Sequence, residues 1–205
     1  MEGQTIYYNT IVKLTSDISR CKSPTKVAQI TAKSVKEAFS AKGCAIYLVD
    51  KKTRELGLVA SSGLSSDFLN KGPVHFMQAI KEAKDAVPIA IYDVMVDPRI
   101  EYPEQAKKEG IASLLGVPII SLDEIIGALR IYTEEKWKFS VNDIAIVQAV
   151  ALISGMAMEM CWMHEKHQDF KENIHGKDTF GFGHAETMSD LLKCIRGGMQ
   201  AQNCK

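Results

Sequence analysis

The residue best suited to bind a ligand is Arg130, which lies in a β-branched, apolar segment typical of a strand, Glu124–Thr133. Side chains alternate between the two faces of a strand, so Arg130 and Tyr132 share one face while Leu129 and Ile131 share the other. A guanidinium donates two parallel hydrogen bonds to a carboxylate or a phosphate. The pattern favours a small anion as the ligand, with the alternative that Arg130 pairs with an acidic side chain or extends into solvent.

Further candidates lie in the irregular segment Asp93–Gly110. Asp93, Asp97 and Arg99 could contact a ligand at the rim of a site, although Asp97 also begins an Asp-Pro turn and Arg99 could pair locally. Tyr102 precedes a proline, which favours an extended backbone, and its ring could either cover a site or fill it. The full set of expected ligand-binding residues is Arg130, Tyr132, Asp93, Asp97, Arg99, Tyr102, Ser113 and His75.

Metal binding and catalysis have little support in the sequence. His75 is the only histidine before the C-terminal segment, and a single histidine is more often a surface or hydrogen-bonded residue than a ligand. Cys161, His164 and His167 are spaced three residues apart, but positions six apart are separated by about 240° around a helix. The sequence contains no nucleophile–base pair and no phosphate-binding loop. We therefore expect no metal, no catalytic residue and no enzymatic activity.

Apolar periodicity predicts the elements that position these residues. A helix is expected over residues 6–20, and a second begins after Ser23 with Pro24 at its first position and ends with Gly43 as its C-cap. Strands are expected at Cys44–Asp50, Leu56–Ser61, Val87–Tyr92 (at an edge, because of Pro88), Ser113–Ile120 and Glu124–Thr133. A short helix or a loop is expected within Gly63–Gly72, and short helices are expected at Phe76–Lys84 and from Pro103 to Gly110.

A long helix should begin after Ser140, the N-cap candidate, with Asp143 completing a variant capping box. It is apolar on nearly every side from Val141 past Met160, which predicts a second covering surface and hence a homodimer through the N- and C-terminal helices. The expected organisation is an N-terminal helix (1–22), a folded domain (23–162) and a partly helical or flexible C-terminal tail (163–205). The longest apolar stretch, Ile144–Met158, is shorter than a membrane span of about 20 residues.

Composition excludes several classes of function. The 205 residues include 25 Lys and Arg and 25 Asp and Glu, so bulk electrostatic binding of nucleic acid is disfavoured. The five cysteines are odd in number and widely spread, which argues against a disulfide framework and for a reducing compartment. The N-terminus has no apolar signal-peptide region. We therefore expect a cytoplasmic protein with no membrane or nucleic-acid partner.

Several strings in this order resemble a GAF domain, and the resemblance covers roughly Ser23–Met160. They are GCAIYLVD, LGLVASSGL, IYDVMVDPRI, GIASLLGVPII and EIIGALRIYTEEKWKFSVNDIAIVQAVA. The resemblance implies an α+β, GAF-like fold with a central antiparallel sheet of five to six strands in the order 2-1-5-4-3. Terminal helices would cover one face of the sheet. Loops and short helices would enclose a ligand pocket on the other, into which Arg130 and Tyr132 would point.

The family implies sensing and regulation, but its ligands are diverse and the fold does not select one. Members that bind cyclic nucleotides carry an Asn-Lys…Phe-x-x-x-Asp-Glu motif, of which this chain keeps Phe139 and Asp143 but has Ile144 in place of the glutamate. Asp93–Ile111 contains neither the cysteine nor the histidine of bilin-binding members, so no covalent bilin is expected. The strand-and-loop core has only Cys44, which disfavours the family's methionine sulfoxide reductase chemistry.

The ligand is therefore left as unknown, with a small anionic metabolite or a cyclic nucleotide as candidates. The favoured function is a sensor domain acting in signal transduction, whose output would lie in a separate partner or be mediated by the tail. The alternative is a structural dimerisation or protein-interaction module whose pocket is filled by its own side chains. Phe68, Phe76, Tyr92 and Tyr102 are the residues that could fill it.

Overall fold

A five-stranded antiparallel sheet organises the computed structural model, which describes residues 2–50, 52, 53, 55–72 and 87–175, with side chains from residue 8 to residue 168 within those ranges. The strands are β1 (Gly43–Val49), β2 (Leu56–Ser62), β3 (Ile89–Ile91), β4 (Ser113–Ser121) and β5 (Glu124–Thr133). The helices are α1 (Glu2–Ile18), α2 (Pro24–Ala38), α3 (Ser66–Leu69), α4 (Pro103–Glu109) and α5 (Val141–His175). The expected helix at Phe76–Lys84 lies outside the described residues.

The strand order is β2-β1-β5-β4-β3, as expected for an α+β fold of this kind. β5 is central, pairing with β1 on one side and β4 on the other. The three-residue β3 lies at an edge, where the proline that precedes it removes no ladder hydrogen bond. β4 and β5 are joined by Leu122 and Asp123, both with positive φ, which is the conformation of a two-residue hairpin turn.

The two faces of the sheet carry separate cores. The larger core joins α1, α2 and α5 to one face through apolar side chains, among them Leu14, Val35, Leu129, Ile131, Val147 and Met158. The smaller core lies on the other face and includes Tyr47, Phe68, Ile91, Ala106 and Tyr132. The helix layer also contains one buried polar contact, a 2.8 Å hydrogen bond between the hydroxyls of Thr31 on α2 and Ser154 on α5.

The end of α2 differs from the sequence prediction. Gly43 was expected as its C-cap, but the helix ends at Ala38 and Gly43 is the first residue of β1. Ser40 takes the left-handed position with φ 45°, and the amides of Ser40 and Ala41 donate to the carbonyls of Glu37 and Lys36. This is a Schellman motif in which serine stands where glycine is most common.

The start of α5 matches the predicted capping box. The Ser140 hydroxyl accepts from the amide of Asp143 at 3.1 Å, and the Asp143 carboxylate accepts from the amide of Ser140 at 2.8 Å. The helix then runs unbroken past residue 162, where the expected tail begins, to His175. The chain divides into two units after Glu165, and the described part of the second unit is the last portion of this helix.

One side of α5 is buried and another is exposed. Val147, Val150, Ala151, Met158 and Cys161 belong to the larger core. Four other apolar residues, spaced four, four and three positions apart, are 46% to 67% exposed: Leu152, Met156, Met160 and Met163. We call these four residues the α5 stripe. Their spacing places them along a single side of the helix.

By length and composition, α5 contains one segment that could cross a membrane, Val141–Gln168. From the sequence, Ile144–Met158 was expected to be too short to span a membrane. That expectation did not allow for the apolar residues that continue the helix on both sides of this stretch. This is weak evidence for a membrane span, because the core helix of a globular domain has the same properties, and α5 packs against the sheet.

Candidate functional site

Arg130 lies at the centre of the sheet, on the face opposite the terminal helices. Its strand neighbours Leu129 and Ile131 belong to the larger core, while Tyr132 belongs to the smaller one. The structure therefore confirms the prediction that the side chains of β5 alternate between the two faces of the sheet. In the register of the sheet, Arg130 pairs with Ala45 of β1 and Gly116 of β4. Both flanking residues have very small side chains or none.

Two tyrosine hydroxyls accompany Arg130. Tyr47 on β1 and Tyr132 on β5 are 3% and 2% exposed, and neither hydroxyl has a hydrogen-bond partner among the described residues. The guanidinium carbon of Arg130 lies 5.7 Å from the centroid of the Tyr47 ring. Burial raises the pKa of Tyr47, the adjacent Tyr132 raises it further, and Arg130 opposes both effects. The Tyr47 phenol is therefore a neutral hydrogen-bond donor at physiological pH.

α3 supplies the next part of this surface. Ser65 caps the helix by accepting from the amide of Phe68 at 3.2 Å, and Glu109 at the end of α4 accepts from both the amide and the hydroxyl of Ser65. Phe68 is thereby held edge-on to Tyr132, with ring centroids 5.4 Å apart. Of the residues that could fill the pocket, Phe68 is buried, Tyr92 is exposed, and Phe76 lies outside the described residues.

Lys71 follows α3 and was not among the sequence candidates. Its ammonium donates to the Phe68 carbonyl at 2.9 Å and lies 3.6 Å from the centroid of the Phe68 ring. Tyr102 reaches the same region: a Cβ added to Gly72 would be 2.5 Å from its hydroxyl. Gly72 has φ 133°, a conformation that side-chain-bearing residues avoid, and this backbone position favours glycine.

The predicted rim residues are engaged in local ion pairs. Arg99 binds Asp97 through its Nε and a terminal nitrogen, at 2.8 and 2.6 Å, and this pairing lowers the pKa of Asp97. Asp93 binds Lys136 at 2.6 Å, which lowers the pKa of Asp93. The contact between Arg99 and Asp97 matches the alternative given in the sequence analysis, in which these residues form a local ion pair within the turn. Ligand contact by these three residues stays a prediction.

Ser113 has a structural position. It is fully buried, its hydroxyl donates to the carbonyl of Tyr92 at 2.6 Å, and it accepts from the amide of Trp137 at 2.8 Å. The hydroxyl therefore links the segment after β3 to the segment after β5. Its only proton is donated to the Tyr92 carbonyl. His75 lies outside the described residues.

The sequence pattern could have identified Tyr47 but not Lys71. On β1, Cys44 and Ile46 belong to the larger core while Ala45 and Tyr47 belong to the smaller one, which is the same alternation that identified Arg130. Lys71 has no such signal, because its contact with the site depends on how α3 folds against the sheet.

The described residues contain no group of three or more His, Cys, Asp or Glu side chains that could hold a metal ion. Cys44 is fully buried beneath the helix layer, and burial strongly raises the pKa of its thiol. A thiol held in the protonated form is a poor nucleophile.

A family model for the GAF domain matches residues 23–158. No curated protein matches the chain. Among solved structures, the GAF domain of a phosphoenolpyruvate-protein phosphotransferase from Coxiella burnetii superposes with a TM-score of 0.68 at 20% identity, covering 79% of this chain and 98% of that one. The GAF domain/HD domain protein from Geobacter sulfurreducens has a TM-score of 0.59 at 15% identity, covering 71% and 98%.

An enzyme is also similar in fold. The free methionine-R-sulfoxide reductase from Neisseria meningitidis, solved in complex with its substrate, has a TM-score of 0.64 at 22% identity, covering 77% of this chain and 91% of that one. At these identities the likeness shows the fold alone. GAF domains are generally sensor and regulatory domains rather than enzymes. The family match spans most of the chain and includes all five strands of the sheet, so this protein belongs to the GAF domain family.

Proposed function

We propose that this chain is a non-enzymatic small-molecule sensor that binds a small anion on the Arg130 face of its sheet and signals through a helix-mediated homodimer. One observation carries the ligand-binding part: the hydroxyls of Tyr47 and Tyr132 are buried beside Arg130 without hydrogen-bond partners among the described residues. A buried hydroxyl without a partner costs about 1–3 kcal/mol. An oxyanion accepting from both phenols would recover that cost.

The ligand part is tested with purified protein. Native mass spectrometry first reports any co-purified small molecule together with the oligomeric state. Thermal shift and calorimetric titration with small carboxylates and inorganic phosphate then measure binding. We expect Arg130→Ala to weaken anion binding by at least about tenfold, the size of a lost charge-assisted hydrogen bond. Arg20→Ala, which removes an exposed arginine, is the matched control. Equal affinity in both variants would refute the assignment of Arg130.

The homodimer is supported by the α5 stripe, because four large apolar side chains along a single side of one helix are costly to leave in water. Tyr8 and Val12 of α1 are likewise exposed and lie four residues apart, so they share a face. A second copy would cover both surfaces in an isologous interface. The methionines suit such an interface, since their side chains adapt to irregular packing.

The dimer is tested by native mass spectrometry and size-exclusion chromatography of Met156→Glu and Met160→Glu, which place a charge within the stripe. Leu122→Glu is the control, since Leu122 is 79% exposed and lies in the β4–β5 turn. We expect the two stripe variants to be monomeric and the control to be dimeric. A wild-type monomer at micromolar concentration would refute the dimer while leaving ligand binding open to its own test.

A second candidate function has one observation in its favour. Phe68 is buried and packs edge-on against Tyr132, so part of the space on this face is already filled by the protein itself. This would suit a structural dimerisation or protein-interaction module without a ligand. Such a module would dimerise in the stripe experiment, yet no anion would shift its melting temperature.

The absence of enzymatic activity and the cytoplasmic location are also proposals. Cys44 argues against reductase chemistry of the kind found in the Neisseria relative, because its thiol is buried and held protonated. Cys21, Cys44 and Cys161 are all free thiols, which suits a reducing compartment. We expect signalling to pass to a separate partner protein.

A further inference from the structure

Lys71 brings a second positive charge to the surface that holds Arg130. The contacts run without interruption: the Lys71 ammonium lies 3.6 Å from the centroid of the Phe68 ring, and that ring is 5.4 Å from the ring of Tyr132. Tyr132 lies two residues from Arg130 on the same face of β5. Only one contact of the ammonium is needed to cap α3, the bond to the Phe68 carbonyl, so two of its three N–H donors can serve a ligand.

The charges around Lys71 indicate which ligand would satisfy it. The pKa of Lys71 is lowered to about 8, chiefly by desolvation and also by the positive charge of Arg130, while Glu101 and Glu109 oppose the shift. Glu109 is engaged by the amide and hydroxyl of Ser65. The two cations therefore interact unfavourably, and negative charge bound between them would reduce that repulsion.

Resting on the proposed function, we infer that the sensed ligand is a small organic dianion, with one negative charge bound by Arg130 and the other by Lys71. A dicarboxylate and a phosphate monoester share this chemistry. The planar fork of Arg130 suits a carboxylate or phosphate edge, while the ammonium of Lys71 acts as a point charge. The hydroxyls of Tyr47 and Tyr132 donate to the remaining oxygens.

The test compares ligands that differ only in charge. Succinate and butyrate have the same four-carbon chain, and glycerol 3-phosphate is compared with its phosphate methyl ester, which carries a single charge, all at pH 7 and constant ionic strength. Calorimetric titration of the wild-type protein should give a dissociation constant at least about tenfold lower for the dianion in one of the pairs. The pair that shows this preference identifies whether the second charge belongs to a carboxylate or a phosphate.

Variants then assign the preference to Lys71. Lys71→Met should remove the advantage of the dianion, so that the two ligands of the pair bind with similar affinity, and Lys71→Arg should restore that advantage. Lys138→Met, which removes an exposed lysine, should have no effect. Because Lys71 caps α3, the melting temperature of each variant is measured without ligand, and the wild-type ligand pairs stand as a test that needs no mutation.

The outcomes separate this inference from the proposed function. Equal affinity for monoanions and dianions in the wild-type protein would overturn the inference and leave an anion sensor in place. A dianion preference that survives in Lys71→Met would overturn the role of Lys71. If none of the four anions binds, the proposed function fails and this inference fails with it.

Discussion

Replacing Thr31 by valine tests how tightly α5 is fixed to the rest of the domain. Thr31 and Ser154 are both fully buried, and their hydroxyls form the 2.8 Å hydrogen bond between α2 and α5. Valine has nearly the shape of threonine, so the substitution removes the hydroxyl, leaves little cavity, and strands the Ser154 hydroxyl in the core. Leaving one buried polar group without its partner costs roughly 1–3 kcal/mol, whereas replacing both partners by apolar groups is nearly neutral.

The experiment is a double-mutant cycle followed by urea denaturation with circular dichroism. We expect Thr31→Val to lower the free energy of unfolding by roughly 1–3 kcal/mol, and Thr31→Val/Ser154→Ala to lie within about 1 kcal/mol of wild type. Thr25→Val is the control, since Thr25 is exposed on the same helix, and it should change stability by less than about 0.5 kcal/mol. If the two single changes were simply additive in the double variant, the hydrogen bond would not couple the helices and the reasoning would be wrong.

Three further predictions concern the cap of α5, the sheet and the site. Ser140→Ala should lower the free energy of unfolding by about 1 kcal/mol in urea titration because it removes the N-cap, while Ser140→Asp should lose little; equal stability of both would contradict the capping box. Gly127→Ala should cost about 3 kcal/mol, since its Cβ would be 2.2 Å from a β1 backbone oxygen, whereas Gly57→Ala, at 3.9 Å from the nearest atom, should be nearly neutral. The affinity for a dianion should fall as the pH rises through about 8, because Lys71 loses its proton there, and Lys71→Arg should remove this dependence in calorimetry from pH 6.5 to 9.5. A wild-type affinity for the dianion that does not change with pH would contradict the role given to the charge of Lys71.

Local patterns predicted those parts of the fold whose causes are local. The period-2 alternation of β5 placed Arg130 and Tyr132 on one face, and the Ser140–Asp143 spacing predicted the start of α5. The predicted end of α2 was wrong because Ser40 takes the left-handed position that ends the helix. The C-cap rule favours glycine there, but the nearest glycine, Gly43, is three residues further on. A Schellman motif needs positive φ, which glycine adopts most readily, but the helix end is fixed by backbone bonds that serine can also make.

The site was predictable only where a strand determined it. Tyr47 follows the same alternation as Arg130 and would have been found by applying it to β1. Lys71 could not be found, because its position depends on Ser65 and Glu109 holding α3 against α4, a contact between residues 44 apart in sequence. Composition also could not distinguish local ion pairs from ligand contacts in the Asp97–Arg99 segment, where both uses require the same charged side chains.

The arrangement of β5 gives the shortest physical route between a ligand on one face and the helices on the other. Arg130 lies between Leu129 and Ile131, so the guanidinium and the two apolar side chains share adjoining backbone. Leu129 and Ile131 pack in the same core as Val147 of α5. A ligand that moves the β5 backbone through Arg130 would therefore shift the packing under α5, because close-packed interiors accommodate displacement poorly. The α5 stripe lies on the same helix, so a change in the packing of α5 would also change the proposed dimer interface. In this way a ligand bound on the far side of the sheet could alter the surface that the dimer offers to a partner protein.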